Sequence, residues 1–203
     1  DLLRCSDSDI SLLRSLNNLD VNTLILDEMK MSSFEGLKEW PSVKTLNIHS
    51  ASFQNLLGID GFVNIIFLDL ANYSSTERDV NTLKNLTGIE NSKNLEYLNL
   101  SGCDEMQDVN ALSELPSLAK LKMDGCPKVE PLPRPKVMEI REEVEKYQIR
   151  LLKALGKDIP LSSKKDTSAS KTDQPAVDKK TLSKIKKLLT TRDISLIDQG
   201  IEH

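Results

Sequence analysis

Three cysteines, Cys5, Cys103 and Cys126, and two histidines, His49 and His203, carry most of the nucleophilic and metal-ligating potential of this 203-residue sequence. A Cys–His nucleophile would have to pair His49 with Cys103 or Cys126, because His203 is the last residue. No two cysteines form a CxxC pair, and three thiols cannot build a disulfide framework. Gly-rich phosphate loops, HExxH helices and GxSxG elbows do not occur in the sequence. Adjacent carboxylates such as Asp104-Glu105 fall among turn-forming residues and read as solvated. The expectation is no catalytic residue, no metal site, no cofactor and no small-molecule substrate.

The elements that would position these residues repeat along the chain. Five segments share an apolar-x-x-apolar-x-apolar frame: Val21–Leu26, Val43–Ile48, Ile65–Leu70, Leu95–Leu100 and Leu118–Met123. Their starts are 22, 22, 30 and 23 residues apart. A period of that length is the mark of a repeat architecture. Three residues past each strand comes a semi-buried position, Met29, Ala51, Tyr73, Cys103 or Cys126. Apolar residues then return at every third place, as in Phe34, Leu37, Trp40 and Val43, or Met106, Val109, Leu112, Leu115 and Leu118. Threefold spacing fits a 3₁₀ or irregular turn better than an α-helix. Each unit is one short strand and one tight return, able to bury its apolar side only by stacking on its neighbours. Leu3 and Cys5 read as the stub of an earlier repeat, with Ile10, Leu13, Leu16 and Leu19 as its return. The extra residues between Leu70 and Leu95 predict a projecting loop around Ser74–Asp79.

Leu95-Glu96-Tyr97-Leu98-Asn99-Leu100-Ser101-Gly102-Cys103 and Leu118-Ala119-Lys120-Leu121-Lys122-Met123-Asp124-Gly125-Cys126 meet the pattern L-x-x-L-x-L-x-x-[N/C] almost letter for letter. On these residues the sequence resembles the leucine-rich repeat family, with a short period similar to bacterial internalin-type and phosphatase-regulator-type repeats. The resemblance covers roughly residues 3–130. It implies an α/β solenoid, a right-handed superhelix with a parallel β-sheet on its concave face, followed here by C-terminal α-helices. It also implies that Cys103 and Cys126 point inward, where a thiol is an inert small hydrophobe. Met29, Ala51 and Tyr73 depart from the family's Asn or Cys, which predicts a weaker side-chain ladder in the first repeats.

The array is expected to span residues 1–134, ending at Pro131, Pro133 and Pro135, since proline supplies no ladder donor. Residues 135–160 predict a capping or flanking helix over Val137–Leu155, with Met138, Arg141, Val144, Tyr147, Leu151 and Leu155 on one stripe and Gly156 as its C-cap. Residues 161–178 are rich in Ser, Thr, Lys and Asp and read as a flexible linker. Residues 179–203 read as a truncated helical hairpin. The charge divides at the end of the array, with net −8 over residues 1–134 and +4 over residues 135–203. The lysines at 179, 180, 184, 186 and 187 lack interleaved aromatics, and the array is acidic, so no nucleic acid is expected as a partner. No apolar run is long enough to span a membrane, and the first residues carry no signal-peptide pattern. Three unpaired cysteines fit a reducing, cytoplasmic setting.

Strand alternation points one set of side chains away from the core. Thr23, Thr45, Phe67, Tyr97 and Lys120 should form one column, and Ile25, Asn47, Asp69, Asn99 and Lys122 the next. Asp27, His49 and Asp124 share a third, but strands about 4.8 Å apart leave Asp124 too far from Asp27 for one metal ion to bridge them. Adjacent exposed rings rimmed by hydrogen-bonding groups have the composition of an interface hot spot. The expected function is a non-catalytic protein–protein interaction module, with Thr45, Asn47, His49, Phe67, Asp69, Tyr97, Asn99 and Lys122 as the partner site. The alternative is a regulatory or targeting region of a larger enzyme whose catalytic domain lies outside this fragment.

Overall fold

A computed structural model describes residues 1–6, 10–28, 32–49, 53–72 and 82–158. The chain divides into two units, residues 1–160 and 161–203, and the second lies outside the described residues. So do the expected loop at Ser74–Asp79, the linker, the hairpin, and Met29, Ala51 and Tyr73.

Seven strands form one mostly parallel sheet whose spatial order equals chain order: β1 (Leu2–Ser6), β2 (Thr23–Asp27), β3 (Thr45–His49), β4 (Phe67–Asp69), β5 (Tyr97–Asn99), β6 (Lys120–Lys122) and β7 (Val137–Met138). β1 through β6 pair in parallel, and Leu3, Leu24, Leu46, Leu68, Leu98 and Leu121 fall on one register line. The last five of these leucines are fully buried. Burying each contributes about 2 kcal/mol. The register follows from the alternation, because a slip of one residue would turn every such leucine to solvent. The strands open two residues later than the hydrophobic frame. Val21, Val43, Ile65, Leu95 and Leu118 are buried ahead of them, as the ends of the preceding returns.

Three returns tighten into 3₁₀ turns, at Ile59–Gly61, Ile89–Asn91 and Asn110–Glu114, as the threefold spacing predicts. The first does not: Ile10–Leu16 is an α-helix, α1, with Leu13 fully buried. On the side away from the strands a second backbone ladder runs across the returns. The N–H of Lys84 donates to Gln54 O at 3.0 Å, and that of Gln107 donates to Lys84 O at 2.8 Å. The returns approach closely enough that a side chain on Gly88 (φ 107°) would place its Cβ 2.3 Å from the Leu56 carbonyl oxygen. Between the layers the core changes character. Phe34, Trp40, Phe53 and Phe62 form one ring cluster, with Phe34 and Phe53 centroids 5.0 Å apart. Aliphatic side chains, Met106, Met123, Met138, Tyr147 and the three buried thiols fill the rest.

Val137 and Met138, expected in the helix, instead form β7, antiparallel to β6. The reason is non-local. β6 would otherwise leave its outer backbone groups unpaired, and the N–H of Met123 donates to Lys136 O at 2.8 Å. The helix α2 therefore starts later, at Arg141–Ala154. Val144, Tyr147 and Leu151 are its buried stripe, whereas Arg141 and Leu155 lie at the surface. α2 packs against the last 3₁₀ turn, β6 and β7. Gln148 Nε2 donates to Leu112 O at 2.7 Å and Leu115 O at 3.0 Å, and the Tyr147 hydroxyl donates to Pro131 O at 3.0 Å. Gly156 (φ 64°) ends the helix, with the N–H of Lys157 donating to Leu152 O at 3.0 Å.

Candidate functional site

Phe67 is the ladder partner of Thr45 on one side and of Tyr97 on the other, and Asp69 is likewise flanked by Asn47 and Asn99. Strand alternation turns both rows to the same face, where Thr45, Asn47, Phe67, Asp69, Tyr97 and Lys122 are half-buried. The Phe67 and Tyr97 rings stack with centroids 4.0 Å apart and planes 4° from parallel. Cross-strand spacing imposes this approach, because neighbouring parallel strands stand about 4.8 Å apart.

Asn99 differs from expectation. It is 1% exposed and offers no contact surface. Its Nδ2 donates to Asp69 Oδ2 at 3.2 Å, and its Oδ1 accepts from the Ser101 N–H at 3.0 Å. Asp69 repeats the second arrangement one segment earlier, with Oδ1 accepting from the Ala71 N–H at 2.9 Å. The two side chains close the bend after their strands, and only Asp69 retains exposure. Ala71 is buried at that bend, although alternation would turn it outward.

Lys122 lies beside the stack, its Nζ 5.8 Å from the Tyr97 ring centroid and 3.5 Å from Glu139. The neighbouring phenol ring, first, and the Glu139 carboxylate hold its ammonium above the usual lysine pKa. Glu139, just past β7, also pairs with Lys120 at 3.6 Å. At the other end His49 Nδ1 lies 2.9 Å from Asp27 Oδ1, while Arg4 Nε donates to Asp27 Oδ2 at 2.8 Å. The face thus has an Asp27 carboxylate held by Arg4 and His49 over β1–β3, two rings with a carboxylate in the middle, and a paired lysine cluster over β6.

No family model, curated protein or solved structure matches this chain.

Arg4 and Glu139 were not among the residues that the sequence nominates. Arg4 sits opposite Ile25 and reaches Asp27 diagonally, a contact invisible to column counting. Glu139 depends on β7, whose existence no local pattern announces. The cysteines are structural: Cys103 Sγ donates to Leu70 O at 3.5 Å and Cys126 Sγ to Leu100 O at 3.1 Å. Burial, above all, pushes the Cys126 thiol up to about 11, so it is protonated at neutral pH and a poor nucleophile. Among the described residues no cluster of three His, Cys, Asp or Glu side chains has metal-binding geometry. None of their helices is long and apolar enough to cross a membrane.

Proposed function

We propose that residues 1–134 are a leucine-rich repeat solenoid with a right-handed superhelical turn, and that its concave sheet face binds a protein partner without catalysing a reaction. The in-order, mostly parallel sheet, with one repeat motif on each of β2 to β6, supports the repeat reading. The observation that carries the binding reading is the half-exposed Phe67–Tyr97 stack. Two rings from different segments meet at one point of a face that backbone pairing holds rigid. Large rigid rings gain contact area at small entropic cost, and interface hot spots are enriched in such groups. A cross-strand pair serving only the sheet would contribute about 0.2–1 kcal/mol and would need no exposure.

The test is the double variant Phe67→Ala, Tyr97→Ala in the full chain. Circular dichroism and urea melts establish that it folds, and a pull-down from the native cell extract then compares it with the parent. The expected result is loss of at least one specific partner. A folded variant that recovers everything the parent recovers removes this face from consideration and directs attention to the acidic returns.

A further inference from the structure

We propose, resting on the binding reading above, that this face receives an arginine side chain of the protein partner. In this arrangement the guanidinium lies on the outer face of the Phe67 ring, above Thr45, and donates to the Asp69 carboxylate.

The stack itself sets the direction. Ring planes 4° apart with centroids 4.0 Å apart have their normals running along the ladder, from β4 to β5. The face of Phe67 that does not meet Tyr97 therefore looks toward β3, where its ladder partner is the small Thr45 and the next is Thr23. There the ring face meets a column of threonines rather than another ring. Two aromatic faces in such close register confront their negative quadrupoles, an arrangement that rings avoid when left to themselves. A cation on an outer face offsets that repulsion. On the Tyr97 side the chain supplies one, Lys122. On the Phe67 side no described cation fills the equivalent place.

The acceptor next to that ring face points to the same ligand. Asp69 lies two residues past Phe67 on the same strand face, one pleat repeat of about 7 Å away. Among the described residues its oxygens accept only from an amide side chain and a backbone N–H, and no described cation pairs with it. The other charges of the face are engaged, Arg4 with Asp27 and both lysines with Glu139. Asn47, between Ile25 and Asp69 in the column, has a buried Oδ1 without a donor among the described residues. Its amide stands one ladder step from the Asp69 carboxylate. A planar cation with several donors matches a ring face plus the two oxygens of a neighbouring carboxylate, and arginine is the side chain with that geometry.

The probe is acetyl-Gly-Arg-Gly-amide, titrated into the ¹⁵N-labelled full chain, with the lysine and norleucine peptides as comparators. Saturable shifts are expected at Thr45, Asn47, Phe67 and Asp69, with arginine binding about ten-fold more tightly than norleucine. Asp69→Asn should abolish that preference. If that variant fails to fold, raising salt from about 50 to about 500 mM should weaken the two cationic peptides and leave the norleucine peptide unchanged. Equal response to arginine and norleucine, or none at these residues, overturns the arginine proposal. If the Phe67→Ala, Tyr97→Ala variant nevertheless loses a partner, the binding reading stands without it. If that variant loses none, both fall.

Discussion

Asn99 Nδ2 donates to Asp69 Oδ2 across 3.2 Å, joining the second side-chain column of β4 to that of β5 at a point that solvent hardly reaches. Asn99→Asp would set two carboxylates against each other there. Like charges at that distance push one carboxyl pKa up in the folded state. A raised folded pKa means that the native form binds the extra proton, so stability is retained in acid and falls as pH rises through the carboxylate range. Urea melts should place the variant near the parent at about pH 4 and about 1–3 kcal/mol below it at about pH 7. A deficit that does not change with pH would show that the loss comes from packing instead.

Cys126→Ser tests the buried thiol. The folded thiol titrates near 11 against an ordinary value of 9.0, with burial the main cause. The parent should therefore lose stability as pH rises from about 9 to about 11, a loss to which this thiol contributes. The serine variant should lack that contribution, while its hydroxyl can still donate to Leu100 O. Parallel alkaline stability curves for the two proteins would contradict the assignment. Under native conditions at neutral pH the parent thiol should also resist aromatic disulfide reagents.

Gly88→Ala tests how tightly the returns stack. Its φ of 107° lies where side chains are strained, and the new methyl would meet the Leu56 carbonyl oxygen at 2.3 Å. Backbone strain alone costs about 1–3 kcal/mol, and displacing the neighbouring return adds to it. A thermal melt within a degree or so of the parent would show that the returns are loosely held.

Ser92→Ala should go the other way. Ser92 takes the place that Phe62 holds one segment earlier and Leu115 one segment later, and its Oγ is buried without a partner among the described residues. Removing an unsatisfied hydroxyl should stabilise the protein by about 1 kcal/mol, seen as a higher urea midpoint. A lower midpoint would indicate a bound water that completes the hydroxyl's hydrogen bonding.

The side-chain columns were legible in the sequence because they need only two regularities, the strand's alternation and the repeat's period. Together these place Thr45 beside Phe67 and Asn47 beside Asp69 without any knowledge of loops. What stayed hidden depends on groups that no period links. Asn99 has the alternation of an exposed residue, but Asp69 and the bend at Ser101 enclose it. Val137–Met138 have a helical neighbourhood and become a strand because β6 offers an open edge. The first return contracts into α1 although its apolar residues keep the threefold spacing, and Arg4 pairs across a diagonal. Local pattern and tertiary demand agree over the repeats and conflict at their ends.

The coincidence of spatial order with chain order also bears on how such a molecule changes over time. The N–H groups of Lys44 and Thr45 donate to Asn22 O, and those of Ile66 and Phe67 donate to Lys44 O in the same way. Excising residues 44–65, one full period, would present Ile66 and Phe67 to Asn22 in the same geometry. An edit of whole periods leaves the junction grammatical, whereas an indel of a few residues turns leucines outward. The array is therefore free to lengthen or shorten by duplication and deletion, and the natural unit of its variation is the segment rather than the residue.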